Sequence, residues 1–368
     1  MISLFGLEKQ YAHIKKFIYK DINECLDSQT FILGDNVKKF ENSLTKHFKS
    51  KHFISCANGT EALFLALLSS GKLKRGDYVM VPSFTFASTA EIVTWLGCKP
   101  IFFDIDEYTF NSDIIHIKNT YYNSKFRNKI KGLISVDIFG NPVNYQMISS
   151  FCKKNDILYI SDGAQALGAK IKNKLTNNLV EFFCTSFFPT KPLGCYGDGG
   201  GLFVSSEKHY NKILSLRSHG KSRDKYDYEN IGLNSRLDEI QASILLNKLK
   251  IFDQEIKNRN IIFQKYSREL SHKYKFQKIE NYSAIGLCSI LVEGDGMRNK
   301  IKKYLEDCKI QCGIYYPNLI CDTEAYKKYP KTGIKNAKKI SQTIISIPCH
   351  AYLNDKEVEY IVSALKDF

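Results

Sequence analysis

Between residues 52 and 106 short apolar runs alternate with longer amphipathic ones: "HFISCA", "GTEALFLALLSS", "DYVMVPS", "STAEIVTWLG" and "KPIFFDID" follow in that order. Short uninterrupted apolar runs suit strands buried on both faces, and the longer segments between them suit helices. Strands spaced by helices predict an α/β domain with a mostly parallel sheet. The rhythm continues to about residue 250, with strands expected at "KGLISVDIFG", "ILYISD", "EFFCTSFF" and "GGLFVSS" and a helix at "QMISSFCKKN".

Residues 1 to 30 read as an arm leading into a helix. From Ser235 a long segment carries apolar positions three and four apart, as one or two helices would. After about residue 275 come a strand-like "AIGLCSILVEG", a helix "MRNKIKKYLEDC", a loop with "YYP" and a closing helix after Asn354. The expected division is an arm plus large domain over 1–250 and a smaller α+β domain over 251–368. No internal repeat or low-complexity tract interrupts it.

Composition narrows the class. A chain of 368 residues, 43% hydrophobic and 25% charged, is that of an ordinary globular protein with about two domains. No run approaches the roughly 18 apolar residues of a membrane span, and the first residues lack the form of a signal peptide, so a cytoplasmic protein without a membrane partner is expected. The 11 cysteines include no Cys-x-x-Cys pair, which predicts reduced thiols and no metal site. The net charge of +15 comes from lysines spread along the whole chain. That spread argues against a nucleic-acid surface, while such a field would attract a small anionic substrate.

Candidate chemistry lies just after the apolar runs, because ligands in open α/β sheets bind at the carboxyl ends of strands. After "HFISCA" comes Asn58-Gly59-Thr60, either a plain capped helix or an anion site at a helix N-terminus. After "ILYIS" comes Asp162, with Gln165 shortly beyond. A carboxylate at the end of a buried strand needs a cation or donors, in a structural ion pair or around a ligand. After "FFCT" come Ser186 and Lys191, within "SFFPTKPLGCYGDGGG". Prolines stiffen the backbone around this lysine, and a merely solvated lysine needs no such setting. A phosphate-binding loop fails on spacing, because its glycines precede the lysine. There remains an amine that forms a Schiff base with pyridoxal phosphate, which needs a lysine, an acid for the ring nitrogen and donors for the phosphate.

The stretches "ILGDNVKKFE", "CANGTEALFLAL", "VPSFTFASTAEIV", "DGAQALGA", "TSFFPTKPLGCYGDGGG", "LRSHG" and "GLNSRLDEIQASILLNKL" together resemble the DegT/DnrJ/EryC1/StrS sugar aminotransferases over nearly the whole chain. That resemblance implies the aspartate-aminotransferase-like architecture called fold type I. It implies Lys191 as the lysine that condenses with pyridoxal phosphate and moves the proton. Asp162 is implied as partner of the ring nitrogen, Gln165 of the ring hydroxyl, and Gly59, Thr60 and Ser186 as phosphate donors. Phe86 matches the aromatic that stacks on the ring, its alternative being a core phenylalanine. Asn234 matches an asparagine that completes the phosphate site of a second subunit, implying a homodimer with shared sites.

Arg236 resembles an arginine at the substrate end, a natural ligand for a sugar carboxylate. His219 in "RSHG" reads as a pocket-edge residue or a structural one. Tyr315 and Tyr316 stand where many members have "HYP", so a phenol replaces a histidine that could meet a diphosphate. Asn144 replaces an acid common after the "FGNP" turn.

The implied reaction moves an amino group from glutamate to a keto carbon of a nucleotide-linked hexose. "SFFPTKPLGCYGDGG" is most similar to the branch acting on UDP-2-acetamido-2-deoxy-3-oxo-glucuronate, whose products serve surface polysaccharides. The alternatives are a 3- or 4-keto deoxyhexose on UDP or dTDP, and a non-catalytic regulator or scaffold on the same fold. Relatives that dehydrate sugars carry histidine in place of the lysine, and Lys191 argues against that chemistry.

Overall fold

The computed structural model describes residues 1–222, 224 and 226–368. Its helices are α1 (Leu7–Ser28), α2 (Asp35–His47), α3 (Gly59–Ser70), α4 (Ser88–Trp95), α5 (Ile114–Asn123), α6 (Tyr145–Lys154), α7 (Glu207–Leu216), α8 (Glu239–Leu249), α9 (Phe252–Leu270), α10 (Met297–Asp307), α11 (Lys335–Thr343) and α12 (Asp355–Asp367). Its strands are β1 (His52–Cys56), β2 (Tyr78–Pro82), β3 (Lys99–Phe103), β4 (Ile130–Val136), β5 (Leu158–Asp162), β6 (Lys170–Ile171), β7 (Lys174–Leu175), β8 (Phe182–Ser186), β9 (Gly200–Val204), β10 (Lys275–Phe276), β11 (Cys288–Leu291), β12 (Lys331–Thr332) and β13 (Ile344–Ile347).

An eight-stranded sheet in the order β1-β9-β8-β5-β4-β2-β3-β12 forms the centre. Its pairings are parallel from β8 through β5, β4, β2 and β3 to β12. Only β9 runs against its neighbours β1 and β8. Strand residues alternate between two buried layers: Ile54, Val79, Val81, Phe182 and Leu202 pack on one face, Phe53, Tyr78, Met80, Phe183 and Phe203 on the other. Both faces are therefore covered, which is why these strands read as continuous apolar runs. The fold is the expected mostly parallel α/β architecture.

A second, antiparallel sheet, β10-β11-β13, carries its own core with α9, α10 and α12. The last helix begins at a capping box, in which Asn354 accepts from the Glu357 backbone and Glu357 returns the bond to the Asn354 backbone. Two contacts tie the ends of the chain across the molecule. Ile2 bridges Ile310 in parallel, and β12 extends the large sheet beside β3. Among the described residues no helix is long and apolar enough to cross a membrane.

Candidate active site

Three strand ends meet at one edge of the large sheet. Because β1 and β8 both run against β9, β1 points the same way as β8 and β5, so all three deliver their carboxyl ends together. Gly200 pairs with Cys56 on one side and Ser186 on the other. Its Cα lies so close to the turn into α3 that a side chain would bring a Cβ within 2.3 Å of the Asn58 carbonyl carbon. Gly59 is equally constrained, a Cβ there falling 2.7 Å from the Ser186 Cβ. The two glycines thus let the start of α3 sit directly over the end of β8. Asn58 caps that helix, its Oδ1 accepting from the Glu61 backbone at 2.8 Å.

Asp162 ends β5 at 5% exposure. Its carboxylate accepts from the Thr89 hydroxyl at 3.0 Å and from the Ala164 backbone at 3.1 Å. Thr89 in turn shares a 2.9 Å bond with Thr85. Burial pushes the Asp162 carboxyl up, opposed by those two hydrogen bonds and by the charge of Lys191. Lys191 lies on the loop after β8, where its backbone donates to Phe188 at 2.9 Å. Burial pushes its amine down and Asp162 pushes it back up. Each group feels the other's charge, yet no ion pair within 4.0 Å joins them. No hydrogen bond of the Lys191 amine is present among the described residues.

Asp162, Lys191, Gly59, Thr60 and Ser186 line one cavity of about 470 Å³. Gln165 lines it too; its Oε1 accepts from the Phe139 backbone at 2.5 Å and its Nε2 donates to the Tyr316 hydroxyl at 3.4 Å. These residues fit pyridoxal phosphate. A lysine amine and a carboxylate line the same space, and the N-terminus of a twelve-residue helix offers backbone donors for an anion. Phe86 stands at this cavity with 58% exposure, so it is not a core side chain. Tyr315 and Tyr316 line it as well, with Tyr316 5.9 Å from Phe84 and 6.2 Å from Phe86 between ring centres.

Three residues singled out in the sequence are not brought to this cavity within the chain. Asn234 and His219 are exposed and Arg236 is half-buried, and none of them lines it. They lie on a segment in which Ser218 bridges Asn234 and the His219 backbone donates to Leu233 at 2.7 Å. Nearby Ile231 is 97% exposed.

The structure also adds residues that sequence reading assigned no role. Thr89 and Thr85 orient Asp162 from α4 and the loop before it. Phe5 of the arm, Asp198 of the glycine-rich loop and Leu287 ahead of β11 line the cavity. Spacing could have suggested Asp198, which stands inside "GCYGDGGG" close after Lys191. Nothing local could have signalled Phe5, because its position depends on a pairing with residue 310.

Comparison with known proteins adds an independent line. The model of the DegT/DnrJ/EryC1/StrS aminotransferase family matches residues 12–366. The UDP-2-acetamido-2-deoxy-3-oxo-D-glucuronate aminotransferase of Pseudomonas aeruginosa is 34% identical to the chain, covering 99% of both. A pleiotropic regulatory protein of Geobacillus stearothermophilus is 31% identical, covering 100% of this chain and 98% of its own. Among solved structures, a DegT DnrJ EryC1 StrS aminotransferase from Brucella abortus superposes with a TM-score of 0.96 at 33% identity, over 100% of this chain and 99% of that one.

Proposed function

The chain belongs to the DegT/DnrJ/EryC1/StrS aminotransferase family of pyridoxal-phosphate enzymes, and on that premise we propose that it moves an amino group from glutamate to a nucleotide-linked keto-hexose. The substrate proposed is UDP-2-acetamido-2-deoxy-3-oxo-glucuronate, aminated at C3 for surface polysaccharide synthesis in the cytoplasm. The observation that carries the proposal is the joint placement of Lys191 and Asp162 on one cavity, each feeling the other's charge.

When bound, pyridoxal phosphate supplies an aldehyde that takes up the amino group and a ring that withdraws electrons. In this reading the Lys191 amine is the base and acid at the reacting carbon, its proton affinity lowered by burial and raised again by the charge of Asp162. Asp162, oriented by Thr89 and the Ala164 backbone, would be the partner of the ring nitrogen and keep it protonated. Gln165, anchored by the Phe139 backbone, would meet the ring hydroxyl. Gly59, Thr60 and Ser186, which line the cavity, would hold the phosphate, and Phe86 would serve as the aromatic partner of the ring.

Asn234 is taken to complete the phosphate site of a second copy, with Arg236 reaching that copy's sugar carboxylate and His219 beside them. Support comes from their exposed segment, where Tyr226, Tyr228 and Ile231 are exposed close together in the chain. Residues 1–250 would then supply the cofactor-binding domain and 251–368 a smaller domain, with Tyr315 and Tyr316 on the substrate side.

The test is a titration of the purified enzyme. Glutamate should remove the absorbance of the aldehyde form, and the uronate should restore it faster than UDP- or dTDP-linked 3-keto or 4-keto deoxyhexoses. A faster return with a deoxyhexose would favour that alternative. The name of the Geobacillus relative favours a second reading, a regulator on the same fold. A bound cofactor whose spectrum is indifferent to glutamate would select it.

A further inference from the structure

The first six residues form a strap between two fixed points. Ile2 donates to the Lys309 carbonyl at 2.8 Å and accepts from the Gln311 backbone at 2.9 Å, while the Leu4 backbone donates to the Gln311 side chain at 3.1 Å. Leu4 is buried and packs with the Tyr315 ring over Gly313, 3.2 and 2.6 Å from where a Cβ would stand. At the other end Gly6 takes a left-handed φ of 64°, and a Cβ there would fall 2.3 Å from the buried His350 ring. Beyond it, Lys9 pairs with Glu357 at 2.6 Å and anchors the start of α1.

Phe5 is held between these anchors, half-buried and facing the cavity that contains Lys191 and Asp162. Leu4, its neighbour in the chain, meets the Tyr315 ring over Gly313, and Tyr315, Leu287 and Phe86 line the same cavity without charge. A glutamate, acyclic and carrying two carboxylates, finds no partner in a benzyl ring. A pyranose ring presents C–H faces that an aromatic wall can cover. Resting on the function proposed above, we infer that Phe5 is a specificity-determining residue that packs against the hexose ring of the nucleotide-linked substrate and takes no part in the glutamate half-reaction.

The two half-reactions separate the claim. Phe5→Ala should raise the half-saturating concentration of the keto-sugar about tenfold, in the range for losing one apolar contact. The rate and half-saturation with glutamate should stay within about twofold, and inhibition by UDP alone should not change. Phe5→Tyr should recover sugar binding and Phe5→Leu should fall between. Unchanged sugar saturation with an intact glutamate half-reaction would overturn the inference alone, and so would equal losses in both half-reactions. If Phe5→Ala does not fold, Phe5→Leu carries the same comparison. A wild-type enzyme inert to glutamate would instead remove the proposed function, and this inference with it.

Discussion

At the strand-end side of the cavity, its inner end, Asp162 and Ser186 stand on strand ends and Thr89 backs Asp162 from the first turn of a helix, whereas the mouth takes Phe5 from an arm and Tyr315 from a loop. The inner residues are fixed by sheet register and by hydrogen bonds of about 3 Å, and two glycines at the start of α3 and on β9 leave no slack. The mouth is different. Phe86 and Phe188 are 58% and 49% exposed, and Asn234 and Arg236 do not line this cavity in their own chain. Such a division suits an enzyme whose chemistry stays constant while its substrate varies, because loops tolerate change that sheet edges do not.

The largest expected effect lies at the inner end. Lys191→Ala should lower the turnover number by about 10³-fold or more, as expected when a positioned acid and base is removed. The variant should still bind cofactor and nucleotide sugar. Turnover within tenfold of wild type would mean that another group moves the proton, and the division of labour between the two ends would fail.

Asp162→Asn comes next, at about 10²-fold in turnover, the scale of a lost electrostatic contact in a preorganised site. Thr89→Val should cost about tenfold, since a hydrogen bond to a charged group is worth about 1.5–3 kcal/mol. Gln165→Ala should cost less than Asp162→Asn. Asp162 also gives a signature in the cofactor-free protein. Burial raises its folded pKa above the ordinary 3.8, so the folded state holds its proton longer than the unfolded one. Stability from this group is therefore undiminished below 3.8 and falls as pH rises through the folded pKa. Melting of wild-type apoprotein minus that of apo Asp162→Asn should become less favourable to wild type across that window. A flat difference would show that the site compensates the buried charge fully.

The same contrast governs what could be read from the sequence. The strands of the inner end were legible because each is buried on both faces and appears as an apolar run, as in Phe182 to Cys184. The antiparallel insertion of β9 was not, since apolar runs carry no information about pairing direction. Helix α2 places Val37, Phe40 and Leu44 on one buried face, a legible pattern that the strand rhythm overshadowed. Edge strand β12 has only Lys331 and Thr332, too short for any periodicity. Lys191 and Asp162 were visible as residues following strands. Thr89 was hidden, because a threonine within a helix is indistinguishable from a surface one until its partner is known. Phe5 was hidden for a longer-range reason, the pairing of residues 2 and 310.

Arg236→Ala tests the mouth, with an effect confined to saturation by the sugar. If Arg236 serves the sugar carboxylate of a second copy, its loss should weaken saturation by the uronate about tenfold, a charge-assisted bond of about 1.5–3 kcal/mol. A keto-hexose without a carboxylate should be affected less than about twofold. Mixing Arg236→Ala with Lys191→Ala sharpens the claim. Sites shared between copies give a mixed dimer one site with both defects and one with neither, so activity should reappear in the mixture with wild-type saturation. In a dimer with self-contained sites, each copy would keep its own defect, and only the weakened saturation of Arg236→Ala would remain. That second outcome would place Arg236 with its own chain's cavity, which it does not line here, and would require the segment around Asn234 to fold inward.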